Sequence, residues 1–238
     1  MDRAKFLTSC LAIYQDDNSG IKIISCVVDY EFEELLKLIT DFNGFEESEE
    51  IKLDTKVRLF LFTYCHVIEV NLIYLILYNM LNTLNGNDYS SIIKFITKKN
   101  EEKEATIPFK KIEIINNNAK KAHLDLELLF EEFFDNRLRN AFDHSEYYID
   151  DSGELSITAH ISPTSSRVGK TISGPKKYSF EDSKDKYDKR LQFLKSFINI
   201  YKKHVIEFQD GKSYPTIFGD VFFDSELGEW RAAKPSAS

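Results

Sequence analysis

"VRLFLFTYCHVIEVNLIYLILYNML", residues 57–81, decides how the rest of the chain is read. It is apolar on nearly every face and long enough to cross a bilayer. Arg58, His66, Glu69 and Asn71 argue against a membrane span, because each is expensive in lipid. A helix apolar all round in a chain of ordinary composition belongs at the centre of a protein core. The expectation is one core helix from about Asp54 to Leu84, closed by "NGND", where Gly86 supplies the break.

Working outward, residues 3–15 and 30–43 have helical spacing, the second with Phe32, Leu35, Leu36, Leu38 and Ile39 on a broad face. "FEESEE" (45–50) reads as a loop or a helix start. Ser90 to Lys99 reads as a short helix, "NEEKEAT" (100–106) as a charged connector, and 109–122 as another helix. In "HLDLELLFEEFFDNRLRNAFDH" (123–144), Leu126, Leu129, Phe130, Phe133, Phe134, Leu138, Ala141 and Phe142 recur at three- and four-residue steps. That pattern predicts one amphipathic helix with an aromatic face, packed antiparallel to the core helix. "YYIDDSGELSITAHI" (147–161) then changes period and predicts two short strands about an Asp-Ser-Gly turn. Residues 162–175 read as a mobile loop. A last long helix is expected over 181–208, with Leu191, Leu194, Phe197, Ile198 and Tyr201 buried. Residues 210–230 read as irregular, and "RAAKPSAS" as a frayed tail. The fold class expected is mainly α: an antiparallel helical bundle with a small β-hairpin and a long C-terminal helix. A helical domain over 1–160 would carry a C-terminal extension, 161–238, packed on it.

The net charge of −8 argues against broad, nonspecific nucleic-acid binding, which needs clustered Lys and Arg. A local basic site is still compatible with it: lysines bunch at Lys98, Lys99 and Lys103, then at Lys110, Lys111, Lys120 and Lys121. As a solvated helix face they would need no partner. Cys10, Cys26 and Cys65 lie far apart in apolar surroundings, with no CxxC and no Cys/His ligand spacing. Neither a metal site nor a disulfide framework is expected, no cofactor is implied, and reduced buried thiols fit a cytoplasmic protein. The N-terminal apolar patch is too short for a signal peptide.

"RNAFDHSEYYIDDSGELSI" (139–157) gathers the groups with chemistry. Arg139 is a permanent cation whose planar fork matches phosphate oxygens; as plain helix surface it would pair with Asp143 at i+4. His144 is suited to move a proton near neutrality, or simply to sit at a helix C-terminus. Asn140, four residues before it, is placed to orient the imidazole.

Together these residues resemble the RX4-6H signature of the HEPN superfamily (higher eukaryotes and prokaryotes nucleotide-binding domain). Arg139 and His144 bracket four residues, Asn140 is the polar residue that family favours after the arginine, and the aromatic helix, the preceding core helix and the following hairpin match its context. The resemblance spans roughly residues 50–160. It implies a metal-independent endoribonuclease, often a toxin or an abortive-infection effector against phage. In that reading Arg139, His144 and Asn140 are catalytic, with Tyr147, Lys120, Lys121 and Arg137 as weaker RNA contacts. The partners implied are RNA, a second copy of the chain and an antitoxin or defence-system protein, with no membrane. Some toxin members carry a modified tyrosine two residues after the histidine; here that position is Glu146, and Tyr147 follows it. Two other readings use the same residues: a noncatalytic nucleotide- or RNA-binding HEPN protein, and an oligomeric interaction scaffold.

Overall fold

The structure, a computed structural model, describes residues 12–16, 20–24, 27–157, 176–216 and 219–232. Their secondary structure is mostly helical, with small antiparallel sheets and a long C-terminal helix. The chain divides into two units. The first takes Met1–Leu35, Val70–Glu127 and Leu194–Ser238; the second takes Leu36–Glu69 and Leu128–Phe193. Each unit thus draws on segments from both sides of residue 160.

In the first unit, β1 (Ala12–Asp16) and β2 (Gly20–Ile24) pair antiparallel, with Ile13 opposite Ile23. Residues 12–15 were expected to be helical; the β-branched residues of "GIKII" and the antiparallel pairing of β1 with β2 outweigh the helical spacing there. Residues 3–11 of that expected helix lie outside the described residues. Helices α3 (Asn71–Leu84) and α4 (Pro108–Lys121) pack together. Pro108 occupies the first turn of α4, Lys120 and Lys121 face its C-terminal dipole, and Ile112, Ile115 and Ala119 form its buried stripe. Gly86, at φ 76, ends α3 as its position in the sequence predicts.

Two further expectations in this unit fail for one reason: short β-hairpins carry little periodicity. The helix expected over 90–99 is instead β3 (Lys94–Ile96), paired with β4 (Glu102–Glu104) about a turn in which Asn100 takes φ 61. Residues 210–230, read as irregular, form β8 (Tyr214–Thr216), β9 (Gly219–Asp224) and β10 (Glu229–Ala232) in the order β10-β9-β8. Trp230, 3% exposed, meets Phe223 edge-on at 5.5 Å and anchors that sheet. The first two residues of the expected tail belong to β10; 233–238 lie outside the described residues.

The second unit holds the motif. Helix α1 (Val27–Glu47) ends here and α7 (Phe180–Ile206) begins here, close to the spans expected for both. Phe42 of α1, Phe60 of α2 (Leu53–Glu69) and Tyr187 of α7 form an aromatic core, with ring centroids 5.0–5.4 Å apart. The single core helix expected from Asp54 to Leu84 is two, because Val70 leaves the helical region at ψ 104. A β-branched residue adopts extended backbone at little cost. By length and composition Leu53–Leu84 is, among the described residues, the one stretch fit to cross a membrane, yet more than half of its most apolar window is buried within the protein. The aromatic helix expected over 123–144 is also two: α5 (Glu127–Phe133) and α6 (Asn136–Asp143). The predicted hairpin is present as β5 (Tyr147–Ile149) and β6 (Leu155–Ile157), and β7 (Lys176–Tyr178) pairs on β6. Gly153 turns at φ 79, and a Cβ there would sit 2.9 Å from Leu53 Cγ, so glycine is required twice over. Residues 158–161, the rest of the second expected strand, and the loop over 162–175 lie outside the described residues.

Candidate functional site

Asp135 sets the motif helix in place. Its backbone is extended (φ −124, ψ 101), and Oδ1 accepts from the N–H groups of Arg137 (3.0 Å) and Leu138 (3.3 Å), capping α6. Its Oδ2 accepts from Tyr178 Oη (2.6 Å) and Lys176 Nζ (3.1 Å), with Lys186 Nζ at 3.9 Å. Its own N–H donates to Tyr64 Oη (2.7 Å). Burial opposes the Asp135 charge, but the bonds from Tyr178 and Lys176 hold the carboxyl below the usual carboxylate range. Burial drives the hydroxyl pKa of Tyr64 and of Tyr178 well up, and the bond to Asp135 adds to the effect on Tyr178. The cap therefore explains why the aromatic run is broken at Asp135, and it ties α6 to both α2 and β7.

Arg139 leaves α6 toward α2. Its Nε and Nη2 each lie 2.7 Å from Glu69 Oε1, Nη2 lies 2.9 Å from Asp143 Oδ2, and Nη1 donates to Asn140 Oδ1 at 3.1 Å. The side chain is 19% exposed, so the fork is fixed in orientation and compensated by two carboxylates. The i+4 pair with Asp143 read from the sequence is present. Glu69 is a partner that the spacing does not predict; its one sign in the sequence is a carboxylate within the apolar stretch 57–81.

His144 caps α6 at φ −97, ψ 2, its N–H bonded to Asn140 O at 3.0 Å, and its side chain is exposed. Ser145 takes φ 55, Ser145 N donates to Phe142 O (3.1 Å) and Glu146 N to Ala141 O (2.8 Å), the paired bonds of a Schellman ending. The helix is thus continuous between Arg139 and the residue before His144. Beside them Cys65 is buried, and burial, with Asp143 next in weight, pushes its thiol up to about 12.

The remaining candidates divide. Arg137 is exposed on α6, and Tyr147 of β5 stacks on Phe142 at 6.2 Å and 14°. Lys120 and Lys121 belong to the first unit, where Lys120 pairs with Glu127 at 2.6 Å and Lys121 Nζ lies 3.5 Å from Asn118 Oδ1. Among the described residues no group of three or more His, Cys, Asp or Glu is placed to hold a metal ion. A separate open cleft of about 360 Å³ in the first unit is lined by Tyr78, Asn82, Ser90, Phe95 and Asn118, among others, and by none of the motif residues. No protein-family model, curated protein or solved structure matches this chain.

Proposed function

We propose that the chain is a HEPN-type, metal-independent endoribonuclease built on an antiparallel helical bundle, acting as a toxin or phage-defence effector in the cytoplasm. The observation that carries this reading is the placement of Arg139, Asn140 and His144 on one short, doubly capped helix, with the Arg139 fork held by Glu69 and Asp143. The RNA 2′-OH attacks its own 3′ phosphate; one proton leaves the hydroxyl and one joins the departing 5′ oxygen. In a cleft shared by two copies of the chain, His144 of one handles proton transfer and Arg139 of the other stabilises charge on the phosphorane. An entering phosphate replaces Asp143 on Nη2, while Glu69 keeps its grip on Nε. An antitoxin or defence-system protein is the natural partner of such an activity.

One observation favours the noncatalytic reading. Two carboxylates already neutralise Arg139, which lessens the charge it can offer a phosphorane. Incubation of purified protein with single-stranded RNA in excess EDTA separates the two. The nuclease leaves 2′,3′-cyclic phosphate and 5′-hydroxyl ends and loses its activity in His144→Ala. RNA left uncut but retained by the protein on a filter establishes the binder, and magnesium-dependent cleavage leaving 5′-phosphates assigns another enzyme class.

A further inference from the structure

Along α2, Arg58, Phe62 and His66 recur at four-residue steps and Glu69 follows after three, so all four fall within an arc of about 80°. Glu69 is the carboxylate that grips Arg139, so this arc is the one that meets the motif. Phe62 is 50% exposed, and Arg58 and His66 are exposed beside it. Among the described residues Arg58 makes no ion pair or hydrogen bond. The Phe62 ring lies nearly parallel to His66 (6.3 Å, 17°) and meets Phe142 edge-on (6.4 Å, 63°); Phe142 lies parallel to Tyr147 (6.2 Å, 14°). Four rings therefore run without interruption from α2 across α6 to β5, passing the Arg139–His144 segment.

A ring series of this kind inside a core would be closed to solvent, and this one is open at Phe62 and His66. Arg58 lies beside the exposed Phe62 and His66 rings, and the Arg139 guanidinium follows farther along, held by Glu69 and Asp143. Exposed rings beside cations suit a strand whose bases stack and whose phosphates pair. We propose that the Arg58–Phe62–His66 face and the rings beyond it form a platform on which the bases of single-stranded RNA stack, feeding a phosphate to Arg139 and His144. The proposal rests on the reading of the motif as RNA-acting, but it concerns binding, which is measured apart from cleavage.

The test uses the full chain and a short fluorescent single strand of mixed sequence with 2′-O-methyl sugars, which lack the attacking hydroxyl and so remain uncut. Phe62→Ala should weaken binding of this probe about tenfold, as expected for one lost stacking contact, while Phe62→Trp retains it. Arg58→Gln should lower the slope of log affinity against log salt by about one. Thermal melting confirms that each variant is folded. Affinity unchanged in Phe62→Ala overturns the proposal, as does a parent protein that does not hold the probe. So does a light-scattering shift to a smaller species in Phe62→Ala with RNA affinity intact, which assigns the rings to a second copy of the chain. Phe62-dependent binding without cleavage of ordinary RNA leaves the platform standing and removes the nuclease.

Discussion

Arg139 and Glu69, seventy residues apart, meet through two nitrogens of one guanidinium on a single carboxylate oxygen, each at 2.7 Å. A lysine cannot reproduce that fork, because an ammonium is a point charge with no planar edge. Arg139→Lys should therefore cut RNA cleavage about as severely as Arg139→Ala, by roughly 10²-fold or more. Both variants should remain folded, since partly exposed pairs of this kind contribute about 1 kcal/mol or less. Cleavage rates and a urea titration on the same preparations check the two halves. Activity retained by Arg139→Lys would reduce the arginine to a structural ion pair.

Asp135 serves stability rather than chemistry. Asp135→Ala removes the cap of α6 and leaves the buried Tyr178 hydroxyl without its acceptor, an expected loss of about 2–4 kcal/mol. Asp135→Asn keeps a capping oxygen and should lose less. The carboxyl is held below its unfolded value, so its contribution is full above about pH 4 and disappears as pH falls through the folded value. Urea midpoints for wild type and Asp135→Asn, followed downward from neutral pH, should converge in acid. Parallel curves would show that the charge is immaterial.

The long α7, the span of α4 and the hairpin after His144 were legible because each carries a sustained period or an unmistakable turn. The breaks were not. Val70 and Asp135 interrupt apolar patterns that run on without a change of phase, and what breaks the chain at Asp135 is tertiary: Tyr64 and Tyr178 come from distant segments to hold it. The signal at Asp135 was nonetheless there, since "DN" inside an aromatic run is a natural cap for a new helix. The sheet β8–β10 leaves little pattern in the sequence, because Val221, Phe223 and Trp230 fall in strands too short to outweigh the surrounding Gly and Asp. At the motif, the pair of Arg139 with Asp143 could be read from i,i+4 spacing, whereas Glu69, a carboxylate in an apolar stretch, meets Arg139 only through the way α2 and α6 pack.

Cys65 gives a probe of the ground beside the motif. Burial raises its thiol to about 12, so at neutral pH it should resist alkylation in the native protein and react fully in urea. The sign for stability is the reverse of that for Asp135. A group whose folded value is raised contributes fully below its unfolded value, about 8.5 for cysteine, and loses that contribution as pH climbs toward the folded value. The raised hydroxyl values of Tyr64 and Tyr178 act in the same direction above about pH 10. Melting temperature should therefore fall between pH 9 and 11, and less steeply in Cys65→Ser if that variant folds. Rapid native labelling at pH 7 would contradict the burial of this thiol.

The motif's geometry bears on its oligomeric state. Arg139 and His144 are five residues apart, and on a continuous helix they point about 140° from one another. Helix α6 does not unwind between them: it is continuous through Asp143, and His144 is its cap. One copy of the helix therefore cannot easily aim both side chains at one phosphate. A two-fold axis near Asn140 removes the difficulty, since it sets the arginine of one protomer beside the histidine of its partner. Phe142, Tyr147 and the exposed Tyr148 would then flank the shared cleft. Light scattering at micromolar concentration should report a dimer. Mixing Arg139→Ala with His144→Ala protein should restore about a quarter of wild-type activity: half the dimers are mixed, and each mixed dimer holds one complete arginine–histidine pair of two. A fully active monomer, or a mixture as dead as its components after subunit exchange, would place both side chains' work within a single chain or outside catalysis altogether.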